Sequence, residues 1–276
     1  MELLAELYSI HSPTGSECGM ISFIRKYLAD YVPEATCEMD GWGNLYITKG
    51  NPVSSSSPSD APGYPTLACH MDQVQTVHSP DFEVRRDGDM LFGWSKSNQR
   101  REGLGADDKN GIWICLHCLR AFPCLKVFMS EGEEKGCIGS NRARMAFFRD
   151  SFYVIEPDSK EAGEVKVVLR GIPCASEEFI SALKAEEHGF EIVDGKTTDI
   201  LPLTLNSIGV SCANVSAGYY SPHKDDEYTL IPDLLKSKAY IENVLDSLHR
   251  RFPHQFKTET QKRIEQVLNE ERRITI

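Results

Sequence analysis

Apolar and polar positions divide this chain into short blocks of helix period and strand period. In "GSECGMISFIRKYLADYVP", Met20, Ile21, Ile24, Tyr27, Leu28 and Tyr31 recur at helical spacing. They predict an amphipathic helix with Ser16 as its N-cap. "CEMDGWGNLYITKG" and "FEVRRDGDMLFGW" carry turn dipeptides at their centres and predict hairpins, the second around Asp87 and Gly88. "NPVSSSSPSDAPG" has the composition of a surface loop, and "YPTLACH" that of a short apolar strand ending at His70. A helix is predicted from about Ala106 to Phe122, then a buried strand, "LKVFMSE", and a helix reaching about Phe147. Strands "SFYVIE" and "EVKVVLR", a helix from Ser176 to about His188, and strands "FEIVD" and "VSCANV" follow. A long helix over roughly Ile231 to Arg250 leads into a charged helix or tail over 253–276. Strands alternate with helices from residue 64 onward. That predicts an α/β fold, a mostly parallel central sheet with helices on both faces, in one domain over 1–252.

Composition narrows the function. The formal net charge of -11 argues against a nucleic-acid surface and mildly favours cations. No apolar run approaches the roughly 20 residues that span a bilayer. The start, "MELLAELYSIHSPTGSE", lacks a basic segment and has acids inside its apolar stretch, unlike a signal peptide, so cytoplasmic residence is expected. The nine cysteines are odd in number and scattered, which predicts reduced, mostly buried thiols. "CLHC" (Cys115 to Cys118) sits in an apolar helical run and reads as core.

The chemistry gathers at the joints between strands and helices, where sites of α/β sheets lie. "CHMD" follows the strand ending at His70, "GADDKNG" opens a helix, and "SEGEEKG", "EPD" and "GYYSPHKDDEY" each follow a strand. Adjacent Asp107 and Asp108 repel each other unless positive charge compensates them. A carboxylate bridging two divalent ions would do so. Imidazole nitrogen with carboxylate oxygen suits zinc, with manganese or cobalt as relatives. Asp72, two residues beyond His70, can accept the imidazole's other N–H. In "GEEKG" one glutamate can bind metal while its neighbour accepts a proton. His78 reads as a loop histidine, Asp199 as a helix cap, and Asp225, Asp226 and Glu227 as a solvated loop.

The ordered set "HMD", "GADDKNG", "EEKGCIGS", "EPD" and "SPH" resembles the co-catalytic dizinc peptidase superfamily, which includes leucyl aminopeptidase, peptidase T and carboxypeptidase G. "SIHSPTGSE" and "GWGNLYITKG" are also similar to peptidase T-like enzymes, so the resemblance runs from about residue 10 to 250. It implies a zinc-dependent exopeptidase fold with two divalent ions. His70, Asp107, Glu134, Asp158 and His223 would bind metal, Asp107 bridging both ions through a segment whose Asp107–Asp108 peptide is often cis. Asp72 would orient His70, and Glu133 would be the general base. Glu156 is the alternative to Asp158. The 65 positions between Asp158 and His223 leave no room for the lid domain of two-domain relatives. The implied activity is that of an aminopeptidase or di/tripeptidase acting on short peptides, with a monomer as the default. An N-acyl amino acid deacylase and a non-catalytic metal-binding module are the alternatives. Acids around the predicted ligands suggest a cleft that attracts an ammonium group and disfavours a carboxylate.

Overall fold

Two apolar cores lie on opposite faces of one large sheet. The computed structural model describes residues 1–57 and 60–256, so the predicted tail lies, from 257 onward, outside the described residues. The strands are β1 (Thr36–Met39), β2 (Leu45–Lys49), β3 (Tyr64–His70), β4 (Phe82–Asp87), β5 (Met90–Ser95), β6 (Arg100–Glu102), β7 (Leu125–Ser130), β8 (Ser151–Ser159), β9 (Glu164–Leu169), β10 (Ile172–Pro173), β11 (Glu191–Gly195), β12 (Cys212–Ser216), β13 (Tyr219–Tyr220) and β14 (Tyr228–Leu230). The helices are α1 (Glu2–Ser9), α2 (Cys18–Tyr31), α3 (Ala106–Ala121), α4 (Glu177–Leu183), α5 (Ile200–Leu205) and α6 (Ile231–Ser247).

The main sheet runs β1, β2, β7, β3, β8, β12, β9, and β9 also pairs with β10 and β11. Its four central strands, β7, β3, β8 and β12, are parallel, with antiparallel neighbours outside them. From β3 the chain passes through α3 to β7 on one side, then returns to β8 on the other. Strand order therefore reverses at β3, and a crevice opens beyond the carboxyl ends of these strands. Alternation sorts the side chains. Leu67 and Cys69 of β3, Val127 and Met129 of β7, and Tyr153 and Ile155 of β8 enter the core shared with α1, α2, α3 and α6. Ala68, Phe128 and Val154 enter the other core, closed by α5 and a 3-10 turn at Met145–Phe148. The central strands are buried on both faces, which is why they read as apolar runs.

A second, antiparallel sheet runs β13, β14, β5, β4, with β6 also on β5. It joins the predicted hairpin of β4 and β5 to the segment around His223. Between Asp158 and His223 the chain builds β9 to β13, α4 and α5, all within or against the two sheets, with no lid.

Several expectations need correction. The N-cap of α2 is Glu17, not Ser16, and its carboxylate accepts the N–H of Gly15 at 3.0 Å. The helix expected to reach Phe147 is a set of 3-10 turns, because Gly136 and Cys137 take positive φ and Ala143 is extended. The helix expected to reach His188 breaks at Lys184, which is left-handed at φ 47, and continues as a 3-10 turn. α1 was not anticipated. It is fixed by Tyr8, whose hydroxyl donates to Asn110 Oδ1 at 2.5 Å, while Asn110 Nδ2 donates to Ala217 O at 2.8 Å. All nine cysteines are free thiols, with Cys115 and Cys118 in the core as expected. Among the described residues no helix is long and apolar enough to cross a membrane.

Gly218 sits where β12 turns toward β13, at φ 74, and a Cβ there would lie 2.4 Å from the backbone nitrogen of Leu234 in α6. Gly88, in the β4–β5 turn at φ 58, has nothing within 4 Å of that position. Gly218→Ala is expected to lose about 1–3 kcal/mol and Gly88→Ala roughly 1 kcal/mol or less. Urea unfolding with unchanged m-values measures both, and equal losses would refute the close-packing argument.

Candidate metal centre

Each predicted ligand arrives at the crevice from a different element. His70 ends β3, and Asp107 lies at the start of α3. Glu133 and Glu134 form a 3-10 turn after β7, Asp158 lies near the end of β8, and His223 is in the β13–β14 loop. The structure brings them together. His70 Nε2 lies 3.1 Å from Asp107 Oδ1, and His223 Nε2 lies 3.2 Å from Asp107 Oδ2. Two imidazoles thus face the two oxygens of one carboxylate. Asp158 Oδ1 is 3.7 Å from His70 Nε2, and Glu134 Oε1 is 3.0 Å from His223 Nε2. Donor atoms of His70, Asp107 and Glu134 lie within 4.8 Å of one another, as do those of His70, Asp108 and Asp158. Glu156 belongs to neither group. Its Oε2 accepts from Thr198 Oγ1 at 2.5 Å and from Asn214 Nδ2 at 2.9 Å.

The backbone around Asp107 is shaped for this approach. Asp107 and Asp108 depart from helical angles inside α3, and the peptide between them is cis. Asp108 turns inward and accepts the N–H groups of Gly111 at 3.0 Å and His70 at 3.3 Å. A Cβ at position 111 would meet both Asp108 oxygens at 2.4 Å and Pro157 O at 2.6 Å, so glycine is what lets α3 come this close to β8.

Other acids hold the ligand-bearing turns. Asp72 receives the N–H of Glu133 at 2.9 Å, the N–H of Glu134 at 3.2 Å and the Thr14 hydroxyl at 2.7 Å. His70 Nδ1 lies 3.0 Å from the main-chain oxygen of Asp72 and 3.3 Å from its Oδ1, which leaves Nε2 facing the crevice. Glu227 departs from the solvated-loop expectation, because it is fully buried. It accepts the N–H groups of Gly105 at 2.6 Å and Asp107 at 3.2 Å. Asp225 and Asp226 are exposed, as expected. Asp199 stands at the N-cap position of α5, as expected, but its carboxylate accepts from the hydroxyls of Ser130 and Ser140 and makes no capping bond to the helix. His78 is stacked between His11 and Phe82, away from the ligands.

Two more groups escaped the sequence reading. Tyr219 is buried and donates to Asp158 Oδ1 at 3.2 Å. Lys109 is buried with its Nζ 2.5 Å from Gln73 Oε1, and burial lowers its pKa to about 7. The apolar residues just after Lys109 were the available signal that this stretch enters the core.

The electrostatics describe a centre short of positive charge. Burial disfavours charge on His70, yet Asp158, Asp107 and Asp72 hold its pKa well above the usual imidazole range. Contacts with Asp107 and Glu134 push His223 up to about 10. Burial, reinforced by Asp107, raises Asp158 and Glu134, though the histidines oppose it. Burial also pushes Glu133 up to about 9, against the influence of His70 and with that of Asp199.

Together with Glu133, Asp107, Glu134, Asp158 and His223 line a cleft of about 510 Å³. Its walls are carboxylate-rich, as expected, with Asp107, Glu133, Glu134, Asp158, Glu164 and Asp194, but they are not uniformly acidic. Lys160, Lys166 and Lys196 line it with Glu164 and Asp194, and the buried Glu227 does not.

Comparison with solved structures places this architecture. Aminopeptidase PepT from Bacillus cereus superposes with a TM-score of 0.72 at 14% identity, over 89% of this chain and 97% of that one. A tripeptidase from Staphylococcus aureus gives 0.66 at 15% identity, over 88% and 96%. An aminopeptidase from the archaeon Desulfurococcus kamchatkensis gives 0.65 at 16% identity, over 90% and 94%. The chain has the fold of these peptidases. No family model matches the sequence. No curated protein matches it either.

The donor set of imidazole nitrogens and carboxylate oxygens suits divalent cations. Glu134 Oε1 is buried without a hydrogen bond although an imidazole nitrogen is only 3.0 Å away, an arrangement that a shared cation would resolve. Dications would also return the raised carboxylates to their anionic form. Two equivalents of zinc per chain are therefore expected at pH 7, with binding releasing about two protons or more, since both imidazoles must become neutral. Calorimetry in buffers of different ionisation enthalpy reads this, and affinity should rise with pH. Proton uptake, or a single equivalent, would refute the arrangement. Asp158→Ala is expected to weaken zinc binding far more than Glu156→Ala, and the reverse would transfer the ligand role to Glu156.

Proposed function

We propose that this protein is a dinuclear metal-dependent exopeptidase, an aminopeptidase or di/tripeptidase that removes residues from the free N-terminus of short peptides. The observation carrying this reading is the pair of imidazole nitrogens facing opposite oxygens of Asp107, with Glu133 beside them in the cleft. His70, Asp107 and Asp158 would hold one ion, and Asp107, Glu134 and His223 the other. When bound, the ions supply Lewis acidity that polarises the scissile carbonyl and acidifies water.

The remaining work belongs to the chain. The Cys137 thiol donates to Glu133 Oε1 at 3.4 Å, and the Glu133 carboxylate would take a proton from water and return it to the departing amine. Asp72 fixes both glutamate turns and the tautomer of His70. Tyr219 orients Asp158. The inner carboxylates would attract a substrate ammonium group.

Glu133→Gln is expected to keep both ions and lose roughly 10²–10⁴-fold in kcat, whereas Glu134→Ala loses metal. Elemental analysis beside turnover separates the two, and equal metal loss would show that the base is misassigned. Zinc-, manganese- or cobalt-loaded protein should cut short peptides with a free amine and cut their acetylated versions poorly. Acetylated substrates turning over as fast would replace this reading with a deacylase.

A further inference from the structure

A row of polar side chains that the proposed reaction does not use ends on the backbone of Asp107. Lys109 Nζ donates to Gln73 Oε1 at 2.5 Å, and Gln73 Nε2 donates to Gln75 Oε1 at 3.2 Å. Gln75 Nε2 then donates to Glu227 Oε2 at 3.1 Å. The other oxygen of Glu227 accepts the N–H of Asp107 at 3.2 Å. Along the side chains every N–H points the same way, from Lys109 toward Glu227. Hydrogen bonds aligned in this manner polarise one another. Lys109, Gln73 and Glu227 are buried, and Gln75 is partly buried.

The chain makes room for this row and anchors it. A Cβ at Gly103 would lie 2.3 Å from Gln75 Cγ, and one at Gly105 would lie 2.9 Å from Lys109 Nζ. Gln73 is tied to Ser12 twice, its N–H donating to Ser12 O at 2.9 Å and its Oε1 accepting the Ser12 N–H at 3.2 Å. The far end of the row needs such an anchor. Asp107 is the donor shared by both proposed ions, and its backbone angles are not helical, so α3 alone does not fix it. We infer that Lys109, Gln73 and Gln75 are positioning residues, which act through Glu227 to hold the carboxylate of Asp107 in place for both ions. The inference rests on the dinuclear reading and adds what keeps the shared donor in register.

Zinc titration against a chromophoric chelator tests this in Gln75→Met, Lys109→Met and the double variant. Each single variant should bind both equivalents about tenfold more weakly than the wild type, because Asp107 serves both ions. The direction is informative for Lys109, since removing an ammonium group by Coulomb's law alone would tighten a dication. In the Gln75→Met background Lys109→Met should add nothing, because the row is already cut. The cobalt-loaded Gln75→Met protein should show an altered visible absorption band, a signature of ligand geometry that a general loss of stability does not move. Unchanged or tighter zinc binding in either single variant, or weakening of one equivalent only, would overturn the inference and leave the dinuclear reading intact. So would an unchanged cobalt band, or an equal loss from Lys109→Met in both backgrounds. If Lys109→Met does not fold, Gln75→Met decides alone, as a swap at a partly buried site. A wild type that binds fewer than two equivalents would instead remove the dinuclear reading, and this inference with it.

Discussion

Buried carboxylates need a counter-charge, and the arrangement at the carboxyl ends of β3, β7 and β8 follows from that need. Asp107, Asp108, Asp158 and Glu227 are all buried near one another. Left alone, such a group would take up protons or come apart. Some acids are answered by backbone N–H groups, which are partial positive charges fixed in place. Asp108, Asp72 and Glu227 are of this kind. Asp107, Glu134 and Asp158 are answered by imidazoles instead, and those are groups that can exchange a proton for a metal ion. The distinction separates the acids that shape the turns from those proposed to hold metal.

The fold supplies this grouping through topology. Reversal of strand order at β3 sends β7 and β8 to opposite sides of it, so three consecutive parallel strands end at one crevice. Glycine at 111 lets α3 lie against the end of β8, which carries Asp108 inward and leaves Asp107 at the centre. The second sheet then brings in His223 from the far end of the chain.

Much of this was legible in the sequence, for reasons of period and spacing. Strands buried on both faces are apolar runs, and β3, β7, β8 and β12 were found that way. The polar clusters stood out because each directly follows such a run or opens a helix. What was hidden depends on contacts between segments distant in sequence. Nothing local distinguishes Glu227 from Asp225 and Asp226. Only the approach of residues 105–107 makes it a buried acceptor. Asp199 looked like a cap because it precedes a helix, but Ser130 and Ser140 claim its oxygens. The turns over 133–148 misled because their apolar residues mimic helical period while Gly136, Cys137 and Ala143 have angles that no helix accepts. The lysines on the cleft wall come from β9 and its neighbours, whose position beside the ligands no spacing rule reveals.

The proposed donors do not all belong to one sheet. His70, Glu134 and Asp158 hang from the main sheet, while His223 hangs from the loop between β13 and β14 of the second. An ion held by Glu134, Asp107 and His223 would be a rivet between two sheets. Its affinity would then report their spacing as much as ligand chemistry. The ion held by main-sheet donors is free of that dependence. Two sites sharing one carboxylate would thus differ in mechanical character, one set by a rigid strand end and the other by how closely a hairpin is docked.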